Sequence, residues 1–380
     1  MRGHIRRRGK RSWELKYDVD RADGRRKTRY KNVKGTRREA QIELAHRLTQ
    51  VADGGHVDAN KVTVAEYLYS RLEIWRAKGT VSAKPAERYG QLIGNQIAPF
   101  IGTKLLQKLT EEEVETWHTK LLTEGRHDKT GGVSTRTIRD AHRVLSKALD
   151  EAVRHKLVPR NVCTLQPPPK VVSREMRILT PEQVAGFTAL LDGHELAAVA
   201  VTALFTGMRR GELLGLDWGN VDLDAKLIKV RKSLEETDEK GLQLKPPKTK
   251  AGIRDVTLPT IVVETLLAHR KRLLERRLAL GLGKLGNSDL VFPNGEGSLQ
   301  SPDSFSSAWS LLSQKLKLGI SFHELRHTHA SQLIDAGVDV VTISKRLGHA
   351  SPTITLSTYA HLFRKDDGKA ADAINAALGQ

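Results

Sequence analysis

Two kinds of polar–apolar periodicity divide the first part of the chain. WELKYDV (13–19) alternates apolar with charged residues, as a half-buried strand does, and RRKTRYKNV (25–33) predicts a basic second strand. Asp23-Gly24 between them predicts a hairpin turn. TRRE (36–39) has capping-box spacing before a helical pattern. We therefore expect a small sheet followed by a helix, with a linker over residues 52–60.

Helical periodicity continues from TVAE (63–66) to about residue 160. Thr110 and Glu113 have the spacing of another capping box, and residues 134–155 carry one apolar helical face. These patterns predict a compact bundle of about four helices, whose histidines and carboxylates we expect at the surface. The Pro-rich segment LQPPPKVVSRE (165–175) predicts a stiff connector and a domain boundary.

The third block mixes helices with short strands. TPEQ (180–183) predicts a helix start, and HELAAVAVTALFTG predicts a buried helix that ends at Gly207. LIKVRKSLEE, LQLKPPKT and RDVTLP predict three antiparallel strands, and helices return near Pro259. The predicted fold is mainly α with small β-sheets: an N-terminal sheet-plus-helix module, a helical bundle and a mixed α+β domain.

The charge balance points to a polyanionic partner. The 380 residues include 63 Lys and Arg against 44 Asp and Glu, a formal net charge of +19. Residues 1–50 alone hold 17 Lys and Arg against 6 Asp and Glu. Nucleic acid is the commonest partner of such a chain, and exposed Arg and Lys on the N-terminal sheet suit DNA phosphates.

Composition also argues against several other classes. The single cysteine, Cys163, excludes an internal disulfide framework and a Cys-rich metal site. No run of about 18 apolar residues is present, and the basic N-terminus lacks the apolar core of a signal peptide. These features predict a cytosolic protein that does not associate with a membrane.

The pentapeptide HELRH (323–327) matches the H-E-x-x-H pattern of zinc hydrolases. Such a site needs a third protein ligand, usually downstream. No glutamate follows Glu324, and the extended pattern fails because Ala330 and Leu333 occupy its glycine and third-ligand positions. A zinc site is therefore the weaker of two interpretations of this segment.

Phosphate chemistry is the stronger interpretation. His323 and Arg326 lie three residues apart and share a helical face, where both can donate to a phosphate. FTGMRRGELLGL places Arg209 at the mouth of the buried helix, and RLGHASPTITLSTYAHL carries His349 and Tyr359. A tyrosine with a pKa of about 10 needs neighbouring positive charge and a base to act as a nucleophile, and an alkoxide leaving group needs an acid.

Together TGMRRGELLGL, a lysine in a β-turn, HELRHTHAS, LGH and STYAH resemble the tyrosine recombinases, the phage integrase family, over residues 175–365. The N-terminal layout is similar to the arm-binding and core-binding domains of phage-type integrases. The resemblance implies site-specific DNA recombination through a 3′-phosphotyrosyl intermediate, integrating or excising a phage or mobile element. It implies no cofactor, no metal and no ATP, because the phosphotyrosine keeps the bond energy.

The resemblance also implies a role for each motif residue. Arg209 and Arg326 clamp the scissile phosphate, and Tyr359 attacks it. Lys250 protonates the 5′ oxygen, although Lys248 stays an alternative in the same turn. His323 assists proton transfer at the tyrosine and His349 donates to the phosphate. The remaining neighbours are expected to serve packing, the DNA backbone, a helix end or the surface, and these are Arg210, His327, His329 and His361.

These inferences define a domain plan and a set of partners. We expect an arm-type DNA-binding domain at 1–58, a core-binding domain at 59–168, a catalytic domain at 169–362 and a tail at 363–380. The partners are double-stranded DNA at attachment sites, three further copies in a homotetramer, and an excisionase or DNA-bending accessory protein. A non-catalytic DNA-binding protein with this fold is the alternative, which the complete motif set disfavours.

Overall fold

The computed structural model describes residues 3–20, 26–52, 60–128, 130–171, 176–279, 281, 283–360, 362 and 375–378. The chain divides into two compact units, residues 1–173 and 174–380. Within the first unit, the N-terminal module and the helical bundle each have their own apolar cluster.

The N-terminal module is a three-stranded antiparallel sheet followed by one helix. Its elements are β1 (Gly3–Gly9), β2 (Ser12–Asp20), β3 (Arg26–Lys34) and α1 (Arg37–Ala52), with β2 in the centre of the sheet. Leu15 and Tyr17 of β2 pack against Ala40 and Leu44 of α1. The sequence predicted β2, β3, α1 and the Thr36 capping box. The Asp23-Gly24 turn and most of the 52–60 linker lie outside the described residues.

The strand β1 is an addition to the predicted module. Its residues are exposed except for the half-buried Ile5. A strand of this composition has little polar–apolar alternation, so its sequence gives no strand pattern. The three arginines Arg6, Arg7 and Arg8 are exposed along it.

The described residues of the helical bundle form five α-helical segments. They are α2 (Val64–Ala77), α3 (Ala83–Leu92), α4 (Ala98–Ile101), α5 (Glu111–Glu124) and α6 (Thr135–Arg154). The predicted capping box forms at Thr110 with Glu113, and the predicted helix start at Thr63 is also capped by Glu66. The apolar face of α6 packs against Trp75 of α2 and Trp117 of α5. The bundle therefore closes around aromatic side chains supplied by its longer helices.

Two histidines of the bundle differ from the prediction that its histidines lie at the surface. His118 and His142 are buried, and His118 Nε2 lies 3.1 Å from His142 Nδ1 in a hydrogen bond. Burial, and then the neighbouring charge of His142, lower the pKa of His118 to about 4. The prediction was wrong here because each ring satisfies the other, which removes the cost of an unpaired buried polar group.

The second unit surrounds two small sheets with helices. Its helices are α7 (Pro181–Ala185), α8 (Phe187–Leu190), α9 (Ala197–Thr206), α10 (Arg210–Leu214), α11 (Thr260–Ala279), α12 (Pro302–Lys315), α13 (Phe322–Asp335), α14 (Val340–Leu347) and α15 (Pro352–Tyr359). The strands are β4 (Val221–Asp222), β5 (Leu227–Val230), β6 (Ser233–Thr237), β7 (Gly241–Lys245) and β8 (Arg254–Thr257). The buried helix α9 contacts both α11 and α13.

The strands of this unit are arranged differently from the predicted set of three. The segment LIKVRKSLEE breaks at Arg231 and Lys232 into β5 and β6, which belong to different sheets. One sheet has the order β4-β5-β8 and the other is the hairpin β6-β7. A continuous apolar-charged pattern does not reveal this change of sheet, because both halves alternate with the same period.

Among the described residues, no helix is both long and apolar enough to cross a lipid bilayer.

Candidate active site

The candidate site begins at the end of α9. Gly207 adopts a left-handed conformation with φ of 65°, which ends the helix and turns the chain toward Arg209. Arg209 is the N-cap of α10, and its guanidinium donates to Glu212 Oε1 at 2.8 Å and to the Gly348 carbonyl at 3.0 Å. Its side chain remains 38% exposed. Arg209 is therefore held in place but open to an incoming anion.

Arg326 lies deeper in the same region. Its side chain extends from α13 and donates to the Gly207 carbonyl at 2.6 Å and the Leu347 carbonyl at 2.8 Å. The residue is only 3% exposed. Burial, and then the charge of Arg209, lower the pKa of Arg326, but a guanidinium with an ordinary pKa above about 12 stays protonated at neutral pH.

Glu212 balances part of this positive charge. Its buried carboxylate accepts from Arg209 and also from Arg254, whose Nη2 lies 2.9 Å from Glu212 Oε2. Burial alone would raise the pKa of Glu212, but the hydrogen bonds and charge of Arg254, followed by the charge of Arg209, bring it below its usual value. Two guanidinium groups contact this carboxylate and Arg326 lies within range of its charge, so the region retains positive charge for a phosphate.

Tyr359, the last residue of α15, is buried at 1% exposure. Its phenol oxygen lies 2.6 Å from His327 Nδ1, in a hydrogen bond whose direction depends on the imidazole tautomer. Burial raises the pKa of Tyr359 to about 12, while Arg326 acts in the opposite direction. The pKa of His327 is lowered by burial and then by Arg326, so a neutral imidazole faces the phenol and can accept its proton.

His323 does not make this contact. It is exposed at the first turn of α13, with its ring centroid 4.9 Å from that of His327. Partial desolvation, and then the charges of His327 and Arg326, lower its pKa. The structure thus places His327, which the sequence assigned to packing or the DNA backbone, between His323 and the phenol of Tyr359.

His349 follows the left-handed Gly348 at the end of α14. Its Nδ1 lies 2.8 Å from Thr355 Oγ1 of α15. Burial, and then the charges of Arg326 and Arg209, lower its pKa to about 4. A neutral His349 with Nδ1 bonded to threonine keeps Nε2 available as a donor or acceptor, depending on tautomer.

The lysine turn lies against the same corner. Lys250 begins a short 3₁₀ turn, Lys250–Gly252, and its side chain is exposed. The next residue is close to the site: a Cβ built on Gly348 would lie 3.0 Å from the Ala251 carbonyl oxygen. Lys248 is 76% exposed in its side chain and its ammonium lies 3.8 Å from Glu235 of β6. Ala251 of this turn therefore lies next to the segment that carries His349, one residue along the chain from Lys250.

Glu324, the acidic residue of HELRH, accepts hydrogen bonds from backbone N–H groups. Its carboxylate accepts from the Ser321 N–H at the start of α13 and from the Arg177 N–H at 3.2 Å. The chemistry-bearing side chains of this helix are the buried Arg326 and the half-buried His327, which is hydrogen-bonded to Tyr359.

The sequence missed three residues of this network, Glu212, Arg254 and His327. Glu212 follows Arg209 by three residues, which is capping-box spacing and could have been noticed. Arg254 was seen only as the first residue of a predicted strand. His327 shares a helical segment with His323 and Arg326, and spacing alone cannot say which imidazole meets a tyrosine 32 residues later.

The features of this chain define a class of enzyme. They are a helical fold with small sheets, arginines around one carboxylate, and a tyrosine hydrogen-bonded to a histidine. The class is that of the tyrosine recombinases, which cleave and rejoin DNA at specific sites through a 3′-phosphotyrosyl intermediate and integrate or excise mobile DNA. The chain belongs to the phage integrase family, whose model matches residues 177–366.

Similar proteins cover most of the chain. A tyrosine recombinase XerC-like protein of Caldanaerobacter subterraneus subsp. tengcongensis is 27% identical, over 90% of this chain and 90% of its own length. The ICEBs1 integrase of Bacillus subtilis is 27% identical, over 81% of this chain and 82% of its own length.

Solved structures show the same fold. The Tn1549 transposon integrase, in complex with transposon right end DNA, has a TM-score of 0.68 at 20% identity and covers 84% of this chain and 100% of its own. A lambda integrase dimer bound to a core site has a TM-score of 0.56 at 18% identity, covering 95% of this chain and 94% of its own.

Proposed function

We propose that Tyr359 is the nucleophile of this recombinase and that α13 supplies both its proton acceptor and half of its phosphate clamp. The observation that carries the proposal is the 2.6 Å hydrogen bond between Tyr359 and His327, one residue from the buried Arg326. Arg209 completes the clamp from the other side of the Gly348 turn. Positive charge there stabilises the charge that grows on a phosphate under attack.

The proton and bond changes follow from these positions. The phenol proton of Tyr359 passes to a neutral histidine, and the geometry favours His327, which His323 contacts edge to face. The phenol oxygen bonds to phosphorus, the bond to the 5′ oxygen breaks, and Lys250 donates a proton to that oxygen. His349 donates to a non-bridging oxygen. Rejoining is the same sequence in reverse.

The domain roles extend this proposal to the whole chain. Residues 1–58 bind arm-type DNA sites, since the N-terminal sheet exposes Arg6, Arg7 and Arg8. Residues 59–168 form the core-binding domain, residues 169–362 the catalytic domain, and residues 363–380 a tail that docks on a neighbouring copy. Separate apolar clusters in the N-terminal module and the bundle support the first boundary.

We also propose assembly as a homotetramer on two DNA sites in the bacterial cytoplasm, on the nucleoid. A lambda integrase tetramer has been solved bound to a Holliday junction, with a TM-score of 0.56 to this chain. Exchange of strands in two sequential pairs needs four tyrosines, one from each copy. An excisionase or DNA-bending protein sets direction.

Tyr359→Phe tests the nucleophile. The variant removes one oxygen from a buried ring, so we expect no covalent adduct on attachment-site DNA, while affinity stays nearly unchanged because it comes from many contacts to phosphate. Denaturing gels measure the adduct and gel-shift titration the affinity. Tyr89→Phe, in the helical bundle, is the matched control. An SDS-resistant adduct formed by the Tyr359 variant would show that another residue attacks.

The lysine is tested with DNA that has sulfur in place of the 5′ bridging oxygen. A thiolate leaves without a proton, because thiols have a pKa of about 8.5. Lys250→Ala should cleave ordinary DNA roughly 10²–10⁴-fold slower and recover on the sulfur substrate. Lys248→Ala, which loses only the contact near Glu235, should respond equally to both. Recovery of the Lys248 variant alone would reverse the assignment.

A further inference from the structure

Arg254 has an unusual set of contacts for the first residue of a short strand. Its side chain is 7% exposed. Nε donates to the Arg346 carbonyl at 2.7 Å, and Nη1 donates both to Glu212 Oε1 at 3.0 Å and to the Gly252 carbonyl at 3.2 Å. Nη2 donates to Glu212 Oε2 at 2.9 Å. All three guanidinium nitrogens are therefore engaged.

Each of these partners belongs to a different part of the candidate site. Gly252 ends the 3₁₀ turn that Lys250 begins. Glu212 accepts from Arg209. The Arg346 carbonyl directly precedes the Leu347 and Gly348 carbonyls, which accept from Arg326 and Arg209. The Arg254 side chain thus joins the turn that carries Lys250 to the two segments that hold Arg209 and Arg326 in place.

The geometry of the contact requires a guanidinium. A planar fork can meet both oxygens of a carboxylate and still donate sideways through Nε, whereas an ammonium is a single point of donation. Gly348 fits closely over this fork, since a Cβ there would lie 2.9 Å from Arg254 Nη1. The network therefore depends on the shape of Arg254 as well as its charge.

We propose that Arg254 is a positioning residue of DNA cleavage, which fixes the distance between the Lys250 turn and the Arg209–Arg326 clamp. This inference rests on the roles proposed above for Lys250 and the arginines. Arg254 acts through Glu212, Gly252 and Arg346. It matters because an acid must reach the 5′ oxygen while the clamp holds the same phosphate, and a displacement of about 1 Å can slow a reaction by about 10²-fold.

Arg254→Lys keeps the positive charge at this position but removes the guanidinium that holds the neighbouring segments in place. Lysine keeps a cation beside the buried Glu212 carboxylate, so folding and DNA affinity should be preserved, but it cannot hold all three segments. Arg231→Lys is the matched control. Arg231 follows the neighbouring strand β5, and its hydrogen bonds go to Asp255 and to the Val230 and Arg254 carbonyls.

The readout is single-turnover cleavage of ordinary DNA and of the 5′-sulfur substrate by the full chain. We expect Arg254→Lys to cleave ordinary DNA about 10–100-fold slower than the wild type. Its cleavage rate on the 5′-sulfur substrate should fall clearly less, because that leaving group needs no proton from the misplaced acid. Arg231→Lys should match the wild type on both. An equal defect of Arg254→Lys on the two substrates, or normal cleavage of ordinary DNA, would overturn the proposal.

Two further measurements keep the result interpretable. Lys250→Ala is assayed in parallel: if sulfur does not restore it, the proposed acid is wrong, and the positioning role falls with it. If sulfur restores Lys250→Ala but not Arg254→Lys, only the positioning role fails. Should Arg254→Lys unfold on thermal denaturation, Gly348→Ala disturbs the same guanidinium from outside and must give the same preference for sulfur.

Discussion

Gly348 is the point where the lysine turn, the Arg254 guanidinium and the Arg209 side chain meet, so a methyl group added there is a sharp perturbation. Gly348 has φ of 68°, a conformation that L-residues rarely adopt. An alanine Cβ would lie 2.9 Å from Arg254 Nη1 and 3.0 Å from the Ala251 carbonyl oxygen. Arg254 cannot swing away without breaking its contacts to Glu212.

The expected loss of stability has two parts. A left-handed conformation costs an L-residue about 1–2 kcal/mol, and the smaller entropy of the unfolded alanine chain returns about 0.4–1 kcal/mol. Overpacking a close contact adds about 1–3 kcal/mol. Gly348→Ala should therefore lower the free energy of unfolding by about 1–4.6 kcal/mol, most of it from the close contacts with Arg254 and Ala251.

Gly337 provides the matched control. It lies one residue beyond the C-cap of α13, Ala336, and has a positive φ of 78°, but an added Cβ would meet nothing within 4 Å. Gly337→Ala should lose only the conformational part, about 0–1.6 kcal/mol. Urea unfolding of the two variants gives the difference, and single-turnover cleavage tests the site. We expect Gly348→Ala to cleave more than 10-fold slower and Gly337→Ala to cleave normally.

Equal stabilities of the two alanine variants, together with normal cleavage by Gly348→Ala, would refute this reasoning. That result would mean that the turn, Arg254 and Arg209 move to accommodate the methyl group without slowing cleavage. The hydrogen bonds of Arg254 would then not be rigid enough to fix the geometry of cleavage.

Four other predictions concern the histidines, the N-terminus and metal. His327→Ala should slow adduct formation more than His323→Ala, since only His327 meets the phenol; the reverse order would return the base to His323. The bundle should lose stability as pH falls from about 6.5 to 4, by about 1.4 kcal/mol per pH unit for His118, because the unfolded state takes up a proton that the folded state resists. Urea titrations should show a smaller fall in His118→Gln, and an identical fall would exclude the buried pair as its cause. Deletion of residues 1–58 should spare cleavage of a core site but abolish recombination that needs arm sites, whereas full recombination by the shortened chain would remove the arm-binding role. Excess EDTA should leave cleavage unchanged; loss of activity with release of one zinc per chain would restore the metal interpretation of HELRH.

The starts and ends of helices were the features of the fold most readily predicted from the sequence. The capping box at Thr110 forms as expected, and helices begin after Thr63 and Thr180 as predicted, because each of these starts depends on residues only three apart. The end of α9 at Gly207 was equally predictable, since a glycine after an apolar helical run favours a left-handed cap. These features need no knowledge of distant contacts.

Partners that are far apart in sequence were not predictable from spacing. Arg254 and Glu212 are separated by 42 residues, yet they make the most buried ion pair of the candidate site among the described residues. The choice between His323 and His327 likewise depends on where α15 places Tyr359. Periodicity puts both histidines on one helix, but only the packing of α13 against α15 decides which imidazole contacts the phenol.

The burial of Tyr359 gives the proposed reaction an order. Attack needs the phenol oxygen about 3–3.5 Å from phosphorus, and a side chain 1% exposed cannot approach a phosphate from solvent. Its raised pKa also keeps it protonated and bonded to His327. Arg209, in contrast, already has 38% of its side chain open. In the proposed mechanism the phosphate therefore meets Arg209 first, and the phenol of Tyr359 becomes accessible to it only after DNA has bound.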